Sequence, residues 1–66
     1  KLTEAVGAFN RAIEVKPDAT AYYYRGLAEL QQQKNTEAKA DFQKALDLAP
    51  DGPDAKDIKD LLKSIR

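Results

Sequence analysis

The sequence predicts an all-α fold in which antiparallel helix hairpins stack as a short array of four helices. Three observations predict it. Residues 1–18 realign onto residues 34–51 at a constant offset of 33, with identities at Lys1/Lys34, Thr3/Thr36, Glu4/Glu37, Ala5/Ala38, Phe9/Phe42, Ala12/Ala45, Pro17/Pro50 and Asp18/Asp51. A period of that size marks stacked supersecondary units, each of which cannot bury its apolar face alone. Apolar and small residues recur at helical spacing in both copies, as Ala5, Phe9, Ala12 and Ile13, then as Ala38, Phe42, Ala45 and Leu46. Pro17 and Pro50 close the two copies at matching places, because the residue before a proline is driven out of the α region.

In order along the chain, the first helix runs up to Pro17, with Thr3 as its expected N-cap. Asp18 is the expected N-cap of a second helix over Ala19 to Gln32, which carries Tyr22, Tyr23, Tyr24, Gly26, Leu27, Ala28 and Leu30. Apolar residues on both of its faces predict packing on both sides. A mid-helix glycine is about 1 kcal/mol less favourable than alanine, so Gly26 predicts a second helix approaching at very short range, with Ala38 and Ala45 small for the same reason. The polar run Gln31-Gln32-Gln33-Lys34-Asn35 predicts a short turn that folds the third helix back antiparallel. Thr36, or alternatively Asn35, caps that helix, and Pro50 ends it. Asp51-Gly52-Pro53-Asp54 opens a fourth helix with proline at its first position. Ala55, Ile58, Leu61, Leu62 and Ile65 make its apolar stripe, while Asp54, Lys56, Asp57, Lys59, Asp60 and Lys63 cover the opposite face.

Composition narrows function more than it names it. A chain of 66 residues makes one domain, and its stability is thin, at about 3–10 kcal/mol for that length. Eleven basic residues balance eleven acidic ones with the signs interspersed, which predicts neither nucleic acid nor an anionic membrane as partner. No apolar run approaches the roughly 20 residues that span a bilayer. The sequence has no cysteine and no histidine, which removes disulfides, thiolate and imidazole metal ligands, Ser-His and Cys-His nucleophiles and imidazole bases together. The expectation is therefore a non-enzyme with no metal and no cofactor. Carboxylates that share a helix face, Glu37 with Asp41 and Asp57 with Asp60, are expected to be solvated. Arg11/Glu14 and Lys44/Asp47 are expected to pair on exposed surfaces, at about 0.2–0.5 kcal/mol each. Lys1 opens no secretory signal, and a first residue other than methionine is expected of an excised piece. The compartment stays open, with the cytoplasm as the default expectation.

These residues resemble the tetratricopeptide repeat, a helix hairpin of about 34 residues with an aromatic, Leu-Gly, Tyr, Ala, Phe and Pro at set offsets. The signature falls on Tyr22, Gly26, Ala38, Phe42 and Pro50, with Ala45 at a further small position. The chain departs from it at Arg25, Glu29, Gln33 and Asn35, where the family favours leucine, tyrosine, glycine and an aromatic. On this resemblance residues 1–66 form a single domain: 1–18 the second helix of a truncated repeat, 19–52 a full repeat, and 53–66 a capping helix. Asp60 stands where Gly26 would recur, so the fourth helix resembles the polar cap that closes such arrays.

The resemblance implies a short right-handed superhelical stack whose first helices line a concave groove for another protein or peptide. It places Thr20, Tyr23, Leu27, Leu30 and Gln31 in that groove with Tyr24 at its edge, and Tyr22 beside Gly26 against Phe42. It implies no clamp for a carboxylate-terminated chaperone tail, since the lysine, asparagine and arginine of such clamps are missing from this face, which offers tyrosine, threonine, leucine and glutamine instead. The alternative expectation is a structural segment that self-associates, as a homo-oligomer or by helix exchange, through Leu2, Val6, Phe9 and Ile13 on the open face of the first helix.

Overall fold

The computed structural model describes residues 2–65, with side chains from residue 6 to residue 65. They form α1 (Leu2–Val15), α2 (Ala19–Gln31), α3 (Asn35–Leu48) and α4 (Ala55–Ser64), with no strand among the described residues. Each helix packs on the next in the chain, and α2 is held between α1 and α3. The result is an array of helical hairpins.

The helix ends show where local chemistry decided and where it did not. Asp18 caps α2 as expected, its Oδ1 accepting from the Ala21 N–H at 2.9 Å. Helices α1 and α3 both stop two residues before their prolines, at Val15 and Leu48. Neither Thr36 nor Asn35 caps α3: the cap position is Lys34, with no side-chain cap bond, and both candidates lie inside the first turn. Thr3 likewise falls inside α1, and its side chain is outside the described residues. Helix α4 begins at Ala55 instead of Pro53, because Gly52 and Ala55 donate to carbonyls three residues back, Ala49 and Gly52, at 3.1 Å each. The segment is a pair of turns before it is a helix.

Between α2 and α3 the chain reverses through a Schellman motif. The Lys34 N–H donates to the Glu29 carbonyl at 2.9 Å and the Gln33 N–H to the Leu30 carbonyl at 3.0 Å. Gln33 holds φ +63°, the left-handed conformation that glycine adopts without penalty.

The core lies at the α2–α3–α4 junction. Ala38, Phe42 and Ala45 are wholly buried and join Ile58 and Ile65 from the far end of the chain, with Tyr22, Tyr23, Leu27, Leu30, Leu46, Leu61 and Leu62 packed around them. Gly26 is tightly approached, but by a ring and not by a backbone: a Cβ there would lie 2.6 Å from Phe42 Cε1. The aromatic pairing also differs from expectation. Tyr23 is the tyrosine whose ring meets Phe42, at 6.1 Å between centroids, whereas Tyr22 packs on the core edge with the Arg25 guanidinium 5.4 Å from its ring centre.

Helix α1 docks through Phe9, which stacks on Tyr24 at 6.0 Å and 20°. Val6, Phe9 and Ile13 are half-buried, and the Leu2 side chain lies outside the described residues. Ala12, the repeat-equivalent of buried Ala45, is exposed.

One polar cluster ties the three helices together. Arg25 on α2 forks onto Asp41 of α3, Nε donating to Oδ2 at 2.8 Å and Nη2 to Oδ1, while Nη1 donates to Asn10 Oδ1 of α1 at 2.9 Å. Among the described residues this is the only ion pair. The expected Arg11/Glu14 and Lys44/Asp47 pairs do not form, and Asp47 accepts instead from Gln43. Glu29 is buried beside this cluster, with no hydrogen bond to its Oε1.

Candidate functional site

Helix α4 packs on α3, and a cleft of about 530 Å³ opens between it and α2, lined by Tyr23 and Leu27 from α2 and by Asp57, Asp60, Leu61 and Ser64 from α4. The spacings produce the lining directly. Residues four apart share a helix face, which joins Tyr23 to Leu27; Asp57, Asp60, Leu61 and Ser64 stand at i, i+3, i+4 and i+7. Leu27 and Leu61 supply an aliphatic floor, and both also pack on the buried core. Tyr23 is a fixed wall, its ring against Phe42 on one side and 5.4 Å from Tyr24 on the other. Asp57 and Asp60 are exposed on the rim.

The electrostatics of the cleft register on that tyrosine. Burial first, then the carboxylates of Asp57 and Asp54, raise the Tyr23 pKa above the ordinary phenol value. The hydroxyl offers a donor at the wall. A second cavity of about 70 Å³ opens at the α2 N-terminus, where Thr20 and Ala19 meet Pro53, Asp54 and Ala55. No cluster of metal-ligating side chains occurs among the described residues, and no helix among them is long and apolar enough to cross a membrane.

The six residues expected along a groove are divided by the structure. Tyr23 and Leu27 line the main cleft, and Thr20 lines the smaller cavity. Leu30 is half-buried against the core, Gln31 is exposed at the end of α2, and Tyr24 turns toward α1 while remaining 46% exposed. Sequence reasoning gave no cleft role to Asp57, Asp60, Leu61 or Ser64, having placed both aspartates on a solvated outer face. Sorting the α4 charges by sign would have found them: Lys56, Lys59 and Lys63 fall on one stripe, and Asp57 and Asp60 on another.

The sequence profile of the tetratricopeptide repeat matches residues 1–53. The chain belongs to the tetratricopeptide-repeat family. In this member of the family the signature residues Tyr22, Gly26, Ala38, Phe42 and Ala45 lie on the packed helices α2 and α3, and Pro50 follows the end of α3. Tetratricopeptide repeats act typically as non-catalytic protein-interaction modules, which points to protein partners. The match ends two residues before α4, so the helix that completes the cleft lies beyond the matched repeat. No curated protein and no solved structure gives a significant match.

Proposed function

We propose that this chain is a protein–protein interaction module, a scaffold or adaptor, that binds a peptide or protein segment along α2 in the cleft facing α4. The observation that carries this is the cleft itself, an aliphatic floor beside a fixed tyrosine with walls from α2 and α4. Tyrosine offers an apolar body and a polar tip at low entropic cost on binding. In this reading Tyr23 and Leu27 make the central contacts, with Thr20, Leu30 and Gln31 flanking them along α2 and Tyr24 at the edge. Residues 19–52 act as the full repeat, 1–18 as the second helix of a preceding one, and 53–66 as a cap that also forms the far wall. Arg25 takes no part, since its guanidinium is committed to Asp41 and Asn10.

The test is a binding map. Peptides selected from a random dodecamer library against the full chain should perturb the amide resonances of Tyr23, Leu27, Asp57 and Leu61 most strongly on titration. Perturbations confined to α1 and the outer face of α3, or no selectable peptide, would contradict the groove reading.

The exposure of Ala12 supports a second reading, assembly through α1. Its equivalent in α3, Ala45, is buried in the core, and a helix from a neighbouring repeat or a second copy would bury Ala12 in the same way. Sedimentation equilibrium at high concentration decides it: a monomer argues against assembly, and a dimer abolished by Ala12→Asp supports it.

A further inference from the structure

Resting on the groove reading, we propose that the α2–α4 cleft receives a cationic side chain, arginine or lysine, flanked by an aliphatic residue on the partner polypeptide. Three stripes of α4 carry the inference. At roughly 100° per residue, Ala55, Ile58, Leu62 and Ile65 share the side turned into the core, whereas Lys56, Lys59 and Lys63 share a second and Asp57, Asp60, Leu61 and Ser64 a third. The segregation leaves the cleft rim purely anionic in a chain whose net charge is zero. Neither Asp57 nor Asp60 has an ion-pair partner among the described residues, and two like charges three apart on a helix repel.

The floor and the rim ask for different things from a ligand, and one side-chain type supplies both. Lysine and arginine carry an aliphatic stem ending in a charged head. Laid over Leu27 and Leu61, such a stem brings its head to the two carboxylates on the rim beside Tyr23. Arginine fits better than lysine, because a planar fork can engage a carboxylate bidentately. A wholly apolar ligand would bury the rim carboxylates without compensation, which is unfavourable. An acidic ligand would meet like charge, which complementarity at interfaces disfavours.

The experiment examines the residue content of the dodecamers selected against the full chain. Arginine or lysine next to leucine, isoleucine, valine or methionine should dominate among peptides that map to the cleft. A synthetic peptide from that set should bind the Asp57→Lys/Asp60→Lys variant at least roughly tenfold more weakly than the parent chain. Its affinity should also fall as salt is raised. Replacing the peptide cation by glutamate should then restore binding to the reversed variant, a gain that a misfolded variant could not produce. Peptides that map to the cleft without a cationic preference, or that bind the reversed variant equally well, would overturn this inference and leave the groove reading standing. Peptides that map elsewhere would overturn the groove reading itself.

Discussion

A Cβ added to Gly26 would sit 2.6 Å from Cε1 and 2.8 Å from Cδ1 of Phe42, a ring that is itself wholly buried. Real Cβ atoms do not approach that closely, and the ring is packed on every side. Alanine at this position gains about 1 kcal/mol of helix propensity but overpacks the core, at a cost of about 1–3 kcal/mol. Strain wins. Gly26→Ala should lower the melting temperature by several degrees, since about 1 kcal/mol corresponds to about 4–8 °C in a domain of this size. Gly26→Ala combined with Phe42→Leu should lose less than the sum of the two single changes.

Gln33 offers a gain by the opposite logic. Its φ of +63° disfavours any residue with a Cβ, by about 1–2 kcal/mol in the left-handed region, and glycine's larger unfolded-state entropy takes back about half of that. Gln33→Gly should raise stability by about 0.5–1 kcal/mol, seen as a shift in the urea midpoint at unchanged slope. Gln33→Val should lower it.

Arg25 is expected to matter more for architecture than its place in a polar cluster suggests. Removing it leaves buried Asp41 without its partner and severs the bond to Asn10 on α1. Arg25→Met should therefore destabilise by roughly 2–4 kcal/mol, whereas Asn10→Ala, on the exposed arm, should cost about 0.5–1 kcal/mol. Denaturant melts of the two variants check the ordering.

Much of this fold was legible in the sequence, and the exceptions share a cause. Repeat spacing, the Asp18 cap and the small residues Gly26, Ala38 and Ala45 are local or periodic signals, and each led to the right helix or the right buried face. The Phe42 ring over Gly26, the partner of Arg25 and the paths of Tyr22 and Tyr23 depend on which residues from different helices meet, which spacing along one helix does not encode. The cleft was half legible. Its α2 wall followed from the family resemblance, whereas its α4 wall was read as solvated surface because charge alone does not say whether a neighbour stands opposite. The Thr36 cap failed for a related reason, since the α2–α3 turn is closed by its own backbone bonds at Lys34, two residues earlier.

The buried carboxyl next to Arg25 makes stability depend on pH. Burial, and then the negative charge of nearby Asp41, push the Glu29 pKa from 4.5 up to about 8. The fold thus holds that proton more tightly than the unfolded chain does. Its contribution is complete below about pH 4.5 and is lost as pH rises toward about 8. The melting temperature should fall between about pH 5 and pH 8.5 through this group. Glu29→Gln, which stays uncharged at every pH, should flatten that fall and be more stable than the parent at the alkaline end.

The most direct test of the central claim, that a partner segment lies between α2 and α4, is site-specific photocrosslinking. A benzophenone side chain in place of exposed Ser64 on the cleft wall should crosslink a bound dodecamer efficiently. The same group in place of exposed Lys44 on α3 should not. Equal crosslinking from both positions, or capture from Lys44 alone, would contradict the account.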